Sequence, residues 1–244
     1  MVSSSSTDQR YVVGLCHSDS RDQCFEKIAQ FSKGIAHELN NTLQGLGIGF
    51  ELVKGSLEPE SPTFTYLSLM SEATQRLNFL ANRLRAFDTL KEWQPTRVSV
   101  QTLIDSAFHE LTPDLSETVD WNTVIDTKHE AMVDPRHMSL ALAAALTNAA
   151  EACPEGCVKT KTRITKSGSR DLSIEGGAVV VSITDSGPGL QHAERIFQPF
   201  YSTKGKGRGL GLPFIQAACM RNKTITVFQN MSSGTRVDFY LPRF

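Results

Sequence analysis

Ala36-His37-Glu38-Leu39-Asn40-Asn41-Thr42-Leu43 lies inside a run of apolar or small residues spaced three and four apart. The run comprises Phe25, Ile28, Ser32, Ile35, Leu39, Thr42, Leu46, Gly49 and Val53. Such spacing is a heptad-type seam and predicts one long helix. Gly55-Ser56-Leu57-Glu58-Pro59-Glu60-Ser61-Pro62 interrupts it with turn residues. A second seam follows at Tyr66, Met70, Ala73, Leu77, Leu80, Leu84 and Phe87. Two long helices joined by a short turn form an antiparallel hairpin, here over residues 22–93. A single hairpin cannot cover seams of this length. Two copies are therefore expected to pair as a four-helix bundle, which makes the chain a homodimer. The alternative is that the hairpin packs on the rest of its own chain. Gly45, Gly47 and Gly49 fit either a bend, a close helix contact or a weak helix.

His37 falls two positions beyond Ile35. At about 100° per residue this turns it from the bundle centre toward water. An exposed imidazole becomes a nucleophile once a base takes its proton. Glu38 is placed to be that base or to orient the ring. Asn41 stands one helical turn from His37. Taken alone, the pair is an ordinary surface His-Glu.

The chain changes character after Trp93-Gln94-Pro95. Strand patterns at 96–100, 157–165, 178–184, 224–229 and 235–241 alternate with helical patterns at 101–111 and 135–152. This mixture predicts an α+β sandwich over residues 94–244, with helices on one face of a sheet. Residues 1–21 are Ser-rich and polar and are expected to be flexible.

Three further clusters lie in this second part. Asp185-Ser186-Gly187-Pro188-Gly189 follows the strand pattern Val179–Thr184. A carboxylate at a strand end can accept from an exocyclic amine such as that of adenine, and glycines permit close backbone approach. A plain Gly-Pro turn reads equally well. Thr203-Lys204-Gly205-Lys206-Gly207-Arg208-Gly209-Leu210-Gly211 feeds an apolar helical run. Exposed N–H groups at a helix start, with basic side chains beside them, suit phosphate. It is neither a Walker loop nor a dinucleotide fingerprint. The bland alternative is a flexible loop. Asn148 lies on a Leu- and Ala-rich helix, where it could ligate a phosphate-bridging magnesium ion or simply face solvent.

Composition narrows the possibilities. Lys plus Arg is 25 and Asp plus Glu is 26, so no basic excess favours nucleic acid. No apolar run approaches the roughly 20 residues of a membrane helix. The N-terminus does not read as a secretory signal. Five cysteines in no metal or redox spacing fit idle thiols in a reducing cytoplasm.

The order His-Glu, Asn, Asp-x-Gly-x-Gly, Gly-rich lid resembles the two-component sensor histidine kinases. In that family a dimerisation and histidine-phosphotransfer hairpin precedes an ATPase domain shared with gyrase, Hsp90 and MutL. The resemblance covers about residues 22–244. It implies that His37 is the phosphoacceptor, Glu38 its acid/base partner, and Asn41 the residue used to dephosphorylate a partner. It implies that Asn148 binds magnesium and Asp185 adenine, in a loop shaped by Gly187 and Gly189. Thr203, Lys204, Gly207, Gly209 and Gly211 match the lid, Phe197-Gln198-Pro199-Phe200 the segment before it, and Gly234-Thr235 the close of the adenine pocket. Thr42 replaces a frequent proline, and Ala144 replaces a frequent asparagine four before Asn148.

The function so implied is ATP-dependent autophosphorylation of His37, then transfer to an aspartate on a separate response regulator receiver domain. Phosphatase action on that regulator is a second capacity. ATP and Mg2+ are the implied cofactors. The competing expectation is a phosphatase or phosphotransfer protein with weak or degenerate ATP binding. An anti-sigma-like ATP-dependent regulator would share the second domain but lack the His-containing hairpin.

Overall fold

The computed structural model describes residues 10–13, 42–58, 61–111, 115, 120–125, 129–153, 157–165, 177–192, 195–203 and 209–243. Residues 42–54 are helical (α1), and a short turn leads to α2, Pro62–Thr89. The turn tightens through bonds from Gly55 N–H to Glu51 O (3.0 Å) and from Ser56 N–H to Val53 O (3.1 Å). Ser61 then caps α2 by accepting from Phe64 N–H, with Pro62 in the first turn. The seam residues Leu46, Val53, Tyr66, Met70 and Leu77 are all exposed. Gly45, Gly47 and Gly49 face open space, so no close helix contact within the described residues explains them.

Beyond α2 the elements are β2 (Thr96–Ser99), α3 (Val100–His109), β3 (Asp120–Val124), β4 (Glu130–Val133), α4 (Pro135–Ala152), β5 (Cys157–Thr165) and β6 (Ala178–Thr184). Helix α5 (Gly211–Arg221), β7 (Ile225–Asn230) and β8 (Thr235–Pro242) complete the fold. With β1 (Arg10–Val13), the six-stranded sheet runs β1-β7-β8-β6-β5-β3 and is antiparallel except for the β3–β5 pair. β2 and β4 pair separately. Alternate residues of β6 (Val179, Val181, Ile183) and β8 (Val237, Phe239, Leu241) share one buried cluster with Leu103, Leu142, Leu146 and Ile215 of the helices. That period of two is the mark of a single sheet face covered by helices.

β1, Arg10–Val13, corrects the expectation for its part of residues 1–21. It pairs antiparallel with β7, Tyr11 opposite Phe228 and Val12 opposite Val227. Tyr-Val-Val favours extended backbone, and β7 would otherwise present an open sheet edge. Tyr11 also packs on the core. β3 and β4 were not read from the sequence either. Each is short, four or five residues, and neither shows a clean apolar alternation.

The end of α2 is built into the second part of the chain. Phe87 is fully buried and meets Phe214 edge-to-face at 5.4 Å. His137, fully buried on α4, has Nε2 2.8 Å from Thr89 O. A carbonyl only accepts, so Nε2 carries the proton. Burial pushes the His137 pKa below its usual value, outweighing the Thr89 bond and the nearby Asp134, which raise it; Arg136 and Arg221 lower it further. A lowered folded value means the unfolded chain takes up this proton first as pH falls. The contribution is complete above about pH 6.5 and is lost as pH drops through the folded value. Thermal melts at pH 7.5 and 5.5 are expected to show a drop in Tm that His137→Gln reduces. An equal drop in both proteins would show that another group governs the acid limb.

Candidate functional site

The site is assembled where the C-terminal end of β6, the last turns of α4, the start of α5 and the β7–β8 turn converge. β6 ends at Thr184, and Asp185 follows, buried. Its Oδ1 accepts from Gly187 N–H (2.9 Å) and Thr235 N–H (3.1 Å), while its own N–H donates to Thr235 O (2.9 Å). The carboxylate is thus held by backbone on two sides, and a carboxylate has acceptor capacity beyond two such bonds. Gly187 sits so close to α4 that an added Cβ would lie 2.8 Å from Ala152 Cβ. Its glycine serves helix packing and the Asp185 bond.

A cavity of about 450 Å³ opens beside Asp185, a volume in the range of small-ligand sites. Asn148, Asp185, Gly189, Thr203, Gly209, Gly211 and Thr235 all line it. These residues come from four separate segments of the sequence, and the fold brings them to one wall. Ile183, Ile196, Phe228 and Val237 supply apolar surface at which a base can stack or slide. Gly187, in contrast, does not line the cavity. Ala144, one helical turn before Asn148, is partly buried against the core and does not line the cavity.

Gly209 marks the end of the lid segment. Its φ is +99°, and an added Cβ would lie 2.3 Å from Tyr201 O, so only glycine fits. Its carbonyl accepts from Phe200 N–H (3.0 Å), which pins the lid's exit to the segment before it. α5 then begins at Gly211 without a side-chain cap. Pro213 has no N–H and Phe214 N–H bonds Leu210 O (3.0 Å), so the N–H groups of Gly211 and Leu212 are the ones this helix start can offer an anion.

Two residues of the site were not read from the sequence. Asn230 Oδ1 accepts from Leu190 N–H (2.6 Å) and its Nδ2–H donates to Leu190 O (3.2 Å). It thereby clamps the loop after Gly189 to the end of β7, and nothing local announces a pairing across forty residues. Glu151 lines the cavity one helical turn beyond Asn148, a spacing that could have revealed it. These two side chains are oxygen donors of the kind magnesium takes. Among the described residues no group of three or more His, Cys, Asp or Glu could hold a metal by itself. Cys153 and Cys219 are free and buried, and burial raises the Cys219 thiol, in keeping with idle thiols.

Residues 133–244 match the family model for the histidine kinase-, DNA gyrase B- and HSP90-like ATPase. The sensor protein kinase PilS of Pseudomonas aeruginosa is 21% identical over 222 residues, which cover 88% of this chain and 41% of PilS. The chain thus carries this ATPase domain and is similar over most of its length to sensor histidine kinases. It spans about two fifths of the length of PilS, well under the whole of that kinase. Solved histidine kinases share the fold. Full-length ShkA in complex with AMPPNP superposes with a TM-score of 0.62 at 21% identity, over 89% of this chain and 46% of ShkA. ThkA in complex with the response regulator protein TrrA gives 0.59 at 19% identity, over 93% and 65%.

In this chain His37, Glu38 and Asn41 lie outside the described residues, as do Lys204 and Gly207 of the lid. No helix among the described residues is long and apolar enough to cross a membrane.

Proposed function

We propose that this chain is an ATP-dependent protein-histidine kinase that phosphorylates His37. The observation that carries the reading is the buried Asp185 at the mouth of a cavity also lined by Asn148, Thr203, Gly209, Gly211 and Thr235. This set favours intact nucleotide binding over the degenerate alternative. In the proposed complex Asp185 accepts from the adenine amine, and the phosphates run toward the lid and the uncapped start of α5. Asn148 and Glu151 would hold magnesium, which neutralises phosphate charge.

The reaction is an in-line displacement. A ring nitrogen of His37 attacks the γ-phosphorus as Glu38 takes or orients the other ring proton. The bond from the γ-phosphorus to the bridging oxygen breaks, and ADP leaves with those electrons. Catalysis is mainly positioning and charge neutralisation. The phosphoryl group then passes to an aspartate carboxylate of a separate receiver domain, with the N–P bond breaking as the O–P bond forms. The likeness to ThkA bound to a response regulator supports a partner of that kind. Asn41 is assigned to positioning water for the reverse, phosphatase reaction.

Residues 22–93 would be the dimerisation and phosphotransfer hairpin, and 94–244 the catalytic domain, both in the cytoplasm. The exposed seam of α1 and α2 supports a homodimer, since those apolar side chains need a cover the described residues do not supply.

The test is direct. The purified chain is incubated with ATP and magnesium, and the acid-labile phosphoryl group is mapped by mass spectrometry. Modification is expected at His37 in the majority of chains that react. Labelling at another residue, or none despite bound nucleotide, rejects the assignment.

A further inference from the structure

The junction between α2 and the ATP-binding part is held by a buried polar cluster that the chemistry above does not use. Asp134, His137 and Asn222 are each almost or wholly inaccessible, at 0%, 0% and 3% exposure. They come from the two ends that face the linker: the start of α4 and the turn after α5. Asn222 Oδ1 accepts from Asp134 N–H (2.7 Å), and its Nδ2–H donates to Ala218 O (2.9 Å). Nδ2 also faces His137 Nδ1 at 3.3 Å. With the His137 proton on Nε2, Nδ1 is the acceptor of that contact.

From this cluster two bonds reach the linker. His137 Nε2–H holds Thr89 O (2.8 Å), one of the last carbonyls of α2, which besides this accepts a longer turn bond from Glu92 N–H (3.3 Å). Asp134 Oδ2 accepts from Gln94 N–H (2.8 Å), while its Oδ1 caps α4. Residues 89 and 94 are thus gripped from opposite ends of the linker by neighbouring side chains. Surface groups follow the same line: Arg221 donates to Lys91 O (3.2 Å), and the Lys223 ammonium lies 6.0 Å from the Trp93 ring centre.

The same helix touches both places. α5 starts at the cavity, where Gly211 and Leu212 line the wall, and ends at Arg221, beside Asn222. Eight of its residues are buried, so it moves with the core or not at all.

We propose that Asp134, His137 and Asn222 form an interdomain latch, which fixes the linker and so sets the position of the ATP site relative to α2 and the proposed phosphotransfer hairpin. These are positioning residues, acting through the linker on a phosphoryl transfer whose rate depends on alignment. The inference rests on the kinase reading. It predicts that breaking the latch slows transfer without weakening nucleotide binding.

The experiment uses the full chain. Three quantities are measured for wild type, Asn222→Ala, His137→Ala and His137→Gln: ATP affinity, the first-order rate of His37 phosphorylation at saturating ATP, and hydrogen exchange of amides 89–94. Asn222→Ala and His137→Ala are expected to hold ATP within about threefold of wild type, to lose about tenfold or more in saturating rate, and to exchange faster in the linker. His137→Gln, which retains an N–H for Thr89 O, recovers part of the rate. A wild-type saturating rate with a loosened linker overturns the latch, and so does a loss of ATP affinity that accounts for the whole effect. Should Asn222→Ala not fold, the surface variant Arg221→Ala carries the test, with a severalfold slower rate expected and an unchanged rate overturning it. A wild-type chain that binds ATP but leaves His37 unlabelled rejects the kinase reading itself; labelled wild type with equally fast variants rejects the latch alone.

Discussion

Asp185→Asn is expected to lower ATP affinity about 100-fold while leaving the chain folded. An asparagine has one acceptor oxygen and one donor group where aspartate has two acceptors. If the oxygen stays with Gly187 N–H and Thr235 N–H, the new NH2 group meets the adenine amine, donor against donor. If the amide turns over, the two backbone amides lose their acceptor at a site 7% exposed. Either orientation forfeits a charge-assisted bond, worth about 1.5–3 kcal/mol, and adds the cost of an unpaired buried group, about 1–3 kcal/mol. A combined loss near 3 kcal/mol is about a hundredfold in affinity. Calorimetric titration with ATP reads the loss, and a circular dichroism spectrum checks the fold. Affinity within threefold of wild type would remove Asp185 from the proposed adenine contact and with it the main support for the nucleotide site.

Gly234→Ala is expected to be worse, because it attacks the frame that holds Asp185. Gly234 has φ +89° and closes the β7–β8 turn, its carbonyl accepting from Met231 N–H (3.0 Å). An added Cβ would lie 1.8 Å from Asp185 O and 2.6 Å from Asp185 C. Both atoms are backbone, so no side-chain rotation relieves the clash. Either β8 separates from the end of β6 or the Asp185 peptide moves, and the Thr235 bonds to Asp185 are lost in both cases. A positive φ in a residue with a Cβ adds its own strain. The sum is a destabilisation of about 3–5 kcal/mol, in the range of the severe single substitutions. Urea denaturation should show a midpoint shifted far down, with ATP binding lost even in the folded fraction. A midpoint close to wild type would mean the turn is far more plastic than its contacts indicate.

These two residues also mark what could be read in advance. Asp185 was legible because a strand pattern ends directly before it and two glycines follow. Gly234-Thr235 was legible only through the resemblance, and the reason for its glycine was not legible at all. That reason is a backbone atom of a residue 49 positions earlier in the chain, pressed against it by the β6–β8 pairing. Asn230 and Glu151 separate in the same way: Glu151 shares a helix face with Asn148, whereas Asn230 reaches its loop only after the sheet has formed. β1 was missed because four residues of strand propensity inside a Ser-rich segment carry no periodic signal; the open edge of β7 decides their conformation.

Local spacing carried the longer helices and strands and the order of the chemistry, though not β1, β3 or β4. Periods of 3.6 and 2, turn residues at the breaks, and carboxylate, amide and glycine types at particular spacings are local properties, written along the chain. Tertiary structure alone decided which of those residues share a wall. It also decided that Gly187 packs against α4, and that Asp134, His137 and Asn222 meet at the foot of α2. Contacts between residues 85 or more positions apart leave no trace in local spacing, because each partner satisfies its own helix or turn equally well without the other. The meeting is enforced by the burial of sheet and helices around them, which only the folded chain expresses.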